Sequence, residues 1–295
     1  MNNCNPKTKN TASSRCKFDW GLFARTVLTP RDKFFTGLDS NNQPITFDEW
    51  LLKGIHAKLK KDRFYPMPLF SDIANNSEES KPWTNGYGQK FVIMEGNKGM
   101  TQSYNQDYCL SNRLASFNDG MARRVLIFDN KNICWLVEKA NGKQGYEASI
   151  FCTGAGINSP SDLVEPKIEY SFKHPSEFVN KIPMETELDI TDLEGLEDIE
   201  MVVVVGETNT EITFRSGCGS YDVTSELAAI GGKKPCWTID GVEVTTAPTY
   251  DDGKFTITNT ALQTNKVLNI ATPDILYVNG VSFKECSVGV KIILP

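Results

Sequence analysis

Two histidines, His56 and His174, are all the imidazole that this 295-residue chain offers for acid–base, nucleophilic or metal chemistry. His56 follows Ile55 in a stretch of helical period, the setting of a residue on the fringe of an apolar face. His174 precedes Pro175 in a linker-like setting, and neither belongs to an H-E-x-x-H pattern. A His-activated nucleophile would need one of these two, and no G-x-S-x-G elbow accompanies them. Gly154-Ala155-Gly156 is half of a dinucleotide fingerprint. The third glycine position holds Ser159, and Pro160 suits the required helix poorly, so the segment reads as a strand-linking turn. Gly96-Asn97-Lys98-Gly99 lacks the Gly-Lys-Ser/Thr ending of a phosphate loop and reads as a hairpin turn.

Carboxylates are plentiful, and a fold can bring any two together for acid–base work. The visible clusters are Glu194-Glu197-Asp198-Glu200, which precedes an apolar strand and solubilises its edge, and Asp251-Asp252, which is turn chemistry with calcium as a minor alternative. The eight cysteines contain no C-x-x-C pair, so zinc and dithiol redox motifs are absent. Reduced, mostly buried thiols are the expectation, with Cys218 and Cys236 the pair most worth testing for a bridge. Trp83 and Tyr87, in a polar punctuated stretch, are the candidate interface or ligand contacts; the alternative is a loop anchored on the core. No catalytic, cofactor-binding or metal-ligating residue is assigned.

The elements around these residues are mostly strands. Residues 1–15 read as a flexible arm. Thr46 and Glu49 stand at capping-box spacing before Phe47, Trp50, Leu51, Ile55 and Leu59, which recur at helical steps. Residues 74–88 read as a long loop, and a second helix is expected over about 106–117. Val125–Phe128 and Ile133–Val137 form a hairpin pattern, and Lys167–Phe172 alternates like a half-exposed strand. From about Leu188, turn signals recur roughly every ten residues between short β-favouring runs, the pattern of a sandwich. The expected fold is therefore mainly β with a few helices: a mixed, α+β domain over 16–187, then an all-β immunoglobulin-like sandwich over 188–295.

Charge changes at the same boundary. Residues 1–187 carry 24 Lys+Arg against 21 Asp+Glu, whereas 188–295 carry 7 against 16. The acidic part opposes binding to nucleic acid or anionic membranes. Neither an apolar signal core nor a run of about 20 apolar residues is visible, so a cytoplasmic site of synthesis is expected.

With Trp237, Asp240-Gly241, Asp252-Gly253-Lys254-Phe255 and the closing run Val288–Leu294, the C-terminal part resembles the immunoglobulin-like decorations fused to phage virion proteins. The preceding part is similar in layout to the tail-tube proteins of tailed phages, with an extended hairpin (compare Val125–Val137), a helix and a long loop. The overall character resembles virion proteins of phages or prophages of Bacteroidetes. That resemblance implies a structural virion subunit that assembles with itself into rings or tubes, and with other virion proteins, through β-edges and loops. It implies no catalysis and no cofactor, and places the terminal sandwich outward as a decoration. Two alternatives stay open: a carbohydrate- or surface-binding module, and an enzyme with an unrecognised carboxylate site.

Overall fold

The computed structural model describes residues 21–105, 108–154, 165–179 and 181–294. The chain is mainly β with few helices. It divides into two compact units: residues up to Leu52 with Phe64–Glu194, and Lys53–Arg63 with Gly195–Pro295. The arm expected at 1–15 and the turn expected after Gly154 lie outside the described residues, apart from Gly154 itself.

The first unit is organised around Arg123–Asp129, whose burial is complete from Arg124 onward. Phe23–Pro30 runs antiparallel along one side of it. On the other side two strands share it, Ile133–Lys139 opposite Ile127 and Phe128, and Tyr146–Thr153 opposite Arg123–Val125. The chain first pairs with 133–139 through Gly142–Gln144 and then moves over to the central strand. Gly145 sits at the change of partner. A Cβ there would lie 2.6 Å from the Val125 carbonyl oxygen, so the close approach requires glycine. Outward from Tyr146–Thr153 the sheet continues through Lys167–Phe172, Lys98–Ser103 and Asp72–Asn75. Lys167–Phe172 has the expected alternation, with Ile168, Tyr170 and Phe172 buried.

Asp129 ends the central strand as a buried carboxylate. It accepts hydrogen bonds from the backbone N–H groups of Gly21, Lys131 and Ile133 and from the indole of Trp135, at 3.1, 2.8, 3.2 and 2.9 Å. One side chain thus shapes the turn into 133–139 and anchors the largest ring on that strand. The capping box at Thr46 also forms: Thr46 N–H donates to Glu49 and Glu49 N–H donates to the Thr46 hydroxyl. The helix Phe47–Ile55 is shorter than its apolar period, which runs on to Leu59. The second helix is Tyr108–Ala115.

Two expectations about hairpins are corrected. The hairpin expected at Val125–Phe128 and Ile133–Val137 forms, with Ile127 opposite Trp135 and Phe128 opposite Cys134, but it is buried in the sheet and is not the extended one. Residues 74–88 are not a loop: they carry the strands Asp72–Asn75 and Lys81–Thr84. These pair with Lys98–Ser103 and Lys90–Met94 to make the longest hairpin arm in the described chain. Gly96-Asn97 is accordingly no turn but lies along the arm, where a Cβ on Gly96 would stand 2.1 Å from the Glu78 carbonyl oxygen.

The second unit has two sheets around one core. One contains Glu197–Val205, Asn209–Ser216, Lys254–Thr258, Thr249–Asp251 and Lys284–Glu285; the other contains Trp237–Ile239, Val242–Glu243, Val267–Ile270 and Val290–Lys291. Phe214, Trp237, Phe255, Leu268 and Ile270 meet in that core. Trp237 is fully buried, donates its indole N–H to the Ile230 carbonyl at 3.1 Å and packs on Phe255 at 5.1 Å. Asp240-Gly241 and Asp252-Gly253 have positive φ at both residues, the twist that a two-residue hairpin turn requires. The unit also holds helical turns at Thr224–Ile230 and Pro273–Val278, and a parallel pairing of Glu197–Asp198 with Lys284–Glu285.

Lys53–Arg63 supplies the missing cations to this acidic unit. The segment has five Lys or Arg and one Asp, against seven Lys or Arg and thirteen Asp or Glu in 195–295. Arg63 is buried and meets Glu285 through both terminal nitrogens, at 2.8 and 3.1 Å. Nearby in sequence, Lys284 binds both Glu197 and Glu226. Burial opposes the charge on Glu197, but hydrogen bonds from Lys284, Ser216 and Tyr221 outweigh it and hold its carboxyl below the usual glutamate value.

Cysteine usage follows the expectation of buried thiols in part and departs from it in part. Cys109 and Cys218 are disulfide-bonded. Cys134, Cys152, Cys236 and Cys286 are free and buried, so the bridge between Cys218 and Cys236 is not made. Burial pushes all four thiols up, Cys152 to about 11, which leaves them protonated and unreactive at neutral pH.

Two predictions follow from these anchors. Asp129→Ala takes this acceptor from the Trp135 indole and from three backbone N–H groups, that of Ile133 buried, and lowers unfolding stability in urea by about 3 kcal/mol. Because the folded Glu197 carboxyl lies below its unfolded value, its contribution is present at neutral pH and is lost as pH falls through the folded value. Glu197→Gln therefore flattens the acid limb of the stability–pH curve, measured by urea unfolding at a series of pH values.

Candidate functional site

Trp83 and Tyr87, singled out by their residue type, both lie on the outer half of the hairpin arm. Its inner half, Asp72–Asn75 with Lys98–Ser103, belongs to the large sheet. The pairing then leaves that sheet but continues: Asn76 N–H donates to Gly99 and Glu78 N–H to Asn97, at 3.0 and 2.8 Å. Lys81 faces Met94, the register slips by one residue, and Pro82, Trp83 and Thr84 face Val92, Phe91 and Lys90. A bulge of this kind bends and twists a ribbon. Ten residues from Asn75 to Asn85 give the outer part a reach of up to about 33 Å.

The tip is stiff. The Asn85 carbonyl side chain accepts from the N–H groups of Tyr87 and Gln89, each at 3.0 Å, and its amide donates to the Gln89 side chain at 2.9 Å. Backbone bonds link Asn85 to Gln89 and Gly88 to Asn85. This turn presents Tyr87 at 93 % exposure. Behind it, Trp83 and Phe91 stand opposite one another on one face, 6.2 Å between ring centres and each about half exposed. Val92, 63 % exposed, faces the other way with Pro82. Sequence reading found Trp83 and Tyr87 but missed Phe91 and Val92, which look like an ordinary strand interior. Only the pairing reveals that this strand has no core beneath it.

The two histidines do structural work. His56 is buried, not at the fringe of a helix; its Nε2 accepts the Phe283 N–H at 3.1 Å and its ring stacks on Tyr277 at 4.2 Å. His174 is half exposed and lies 3.6 Å from Glu147. Among the described residues, no three His, Cys, Asp or Glu side chains are grouped as metal ligands. No helix there is long and apolar enough to cross a membrane.

Convergent carboxylates do occur, at a place that sequence reading did not mark. Glu147, on Tyr146–Thr153, and Glu177, on the turn Pro175–Phe178, are both buried. Arg124 lies between them, 3.5 Å from Glu147 and 3.7 Å from Glu177. Lys139 pairs with Glu177 at 2.9 Å, and Arg31 and Lys173 approach Glu147 at 3.3 and 3.6 Å. The remaining Glu177 oxygen accepts the Glu147 N–H at 3.0 Å. All four carboxylate oxygens thus face a cation or an N–H. The arrangement ties the turn to the sheet.

Removing the shared cation tests this account. Arg124→Met takes the shared, buried cation from two carboxylates that keep only the more exposed Lys139, Arg31 and Lys173, and lowers stability by about 3 kcal/mol in chemical unfolding. Adding Glu147→Gln and Glu177→Gln in the same chain recovers part of that loss.

Set beside known proteins, the chain is matched by no family model and by no curated sequence.

Proposed function

We propose that the protein is a structural subunit that assembles with copies of itself through the hairpin arm 72–103, as a component of a virion of the tailed-phage kind. One observation carries the reading: the outer ribbon exposes Trp83, Tyr87, Phe91 and Val92 on two faces and at a rigid tip. A two-stranded ribbon is marginal in water by itself, and clustered aromatic side chains are what protein interfaces bury at their centres. Apolar groups on both faces suit insertion between neighbours better than attachment to one surface. Two open backbone edges add a means of pairing strand to strand. In this reading the acidic second unit faces solvent as a decoration, no cofactor is used, and the other partners are virion proteins.

A second reading rests on the same aromatic pair. Trp83 and Phe91 beside Asn85 and Gln89 offer a stacking surface with polar groups at its border, which suits a carbohydrate or another ligand at a surface.

Sedimentation and negative-stain microscopy of the purified chain separate the two. Assembly predicts rings or tubes for the wild type, and at least about 100-fold weaker association for Trp83→Ser with Tyr87→Ser and Phe91→Ser. Since all three residues are exposed, this variant keeps its circular dichroism spectrum. A wild type that stays monomeric at every concentration overturns the assembly reading, and glycan binding lost in the same variant would put the second in its place.

A further inference from the structure

We propose that the cleft beside Arg31 in the first unit binds a small organic anion, with a carboxylate or phosphate group on an apolar body. The cleft has a volume of about 660 Å3, and its lining includes Arg31, Asp32, Phe34, Arg124, Lys139 and Gln144. This is the size of a small-molecule site.

Its charge balance favours an anion. Behind the lining, Glu147 and Glu177 face four permanent cations: Arg31, Arg124, Lys139 and Lys173. Two positive charges are left over, and Asp32 at the lining offsets one of them. The surplus sits on the groups that reach the opening. The Arg31 side chain is 65 % exposed and that of Lys139 43 %, whereas Arg124 is held inside by the Arg31 and Gly145 carbonyls, each at 3.1 Å. Arg31 comes within 3.3 Å of Glu147 through Nε. Its terminal nitrogens form no hydrogen bond among the described residues, and they make the planar fork that matches a carboxylate or phosphate.

Gln144 supplies the second, independent observation. Its residue is 7 % exposed and lines the cleft, yet its side-chain amide has no hydrogen-bond partner among the described residues. The amide is open to the cleft, and a ligand oxygen would accept from its N–H2 group beside the Arg31 fork. Phe34, 38 % exposed on the same lining, provides an apolar wall for the rest of the ligand. Nothing in this reading depends on the hairpin arm.

Titration of the full chain by calorimetry, and by NMR of the Gln144 side-chain amide, tests the site with three probes: benzoate, phenyl phosphate and the neutral isostere benzamide. At least one anion binds saturably and shifts the Gln144 amide, while benzamide does neither; which anion binds more tightly separates carboxylate from phosphate. Arg31→Gln weakens that anion by about tenfold or more, and Arg31→Lys, which keeps the charge but not the fork, by less. Arg31→Gln also removes one cation beside Glu147, so both variants are titrated below their own melting transitions, and Arg31→Lys controls for the lost charge. Absence of saturable binding by both anions overturns the proposal, as does benzamide binding equal to the anion's or an unchanged affinity in Arg31→Gln.

Discussion

A strand buried along its length can carry a charge only where that charge is fully partnered, and Arg124–Asp129 carries one at each end. The Asp129 carboxylate collects backbone and indole N–H groups. The Arg124 guanidinium lies among two carbonyls and two carboxylates. Between them Val125 to Phe128 are fully buried. Three strands pair with this one, so the arrangement of the whole first unit depends on satisfying both ends. Gly145 completes the constraint from the other side, by letting a neighbouring strand change partners where any Cβ would collide.

The same unit treats apolar surface in two opposite ways. In the sheet, Ile127, Trp135, Tyr146 and Tyr170 are removed from water. On the outer arm, Trp83, Phe91 and Val92 remain in it, and the ribbon keeps its shape through backbone ladders and the asparagine-built tip rather than through a core. Shape maintained without a core is what leaves those side chains available.

Regular period and turn chemistry made much of the fold legible. The alternation in Lys167–Phe172, the capping box at Thr46 and Glu49, and the Asp-Gly turns each follow from a local rule, and each is present. The arm was not legible because Asn76, Ser77, Glu78 and Glu79 have loop composition, while their order comes from partners about twenty residues away. Phe91 and Val92 were hidden for the converse reason: a strand pattern promises a core, and only tertiary pairing tells whether one exists. The helix Pro273–Val278 had a readable start in Thr272-Pro273-Asp274, with proline at its first position and an acid in its first turn. Its brevity between two strand runs concealed it. The pairing of Glu147 and Glu177 through Arg124 joins residues whose sequence surroundings give no sign of one another.

The second unit is discontinuous, built from Lys53–Arg63 and Gly195–Pro295 with the whole rest of the first unit intervening. His56 receives the Phe283 N–H and Arg63 receives Glu285, so the earlier piece supplies an acceptor and a cation that the later piece lacks. During synthesis, a ribosome must therefore release the chain as far as Glu285 before those groups meet. The sheet built around Arg123–Asp129 has all its strands by Glu185, about a hundred residues earlier. Order of completion is thus written into the connectivity: the two units alternate along the chain, the first has all its residues by Glu194, and the second closes last.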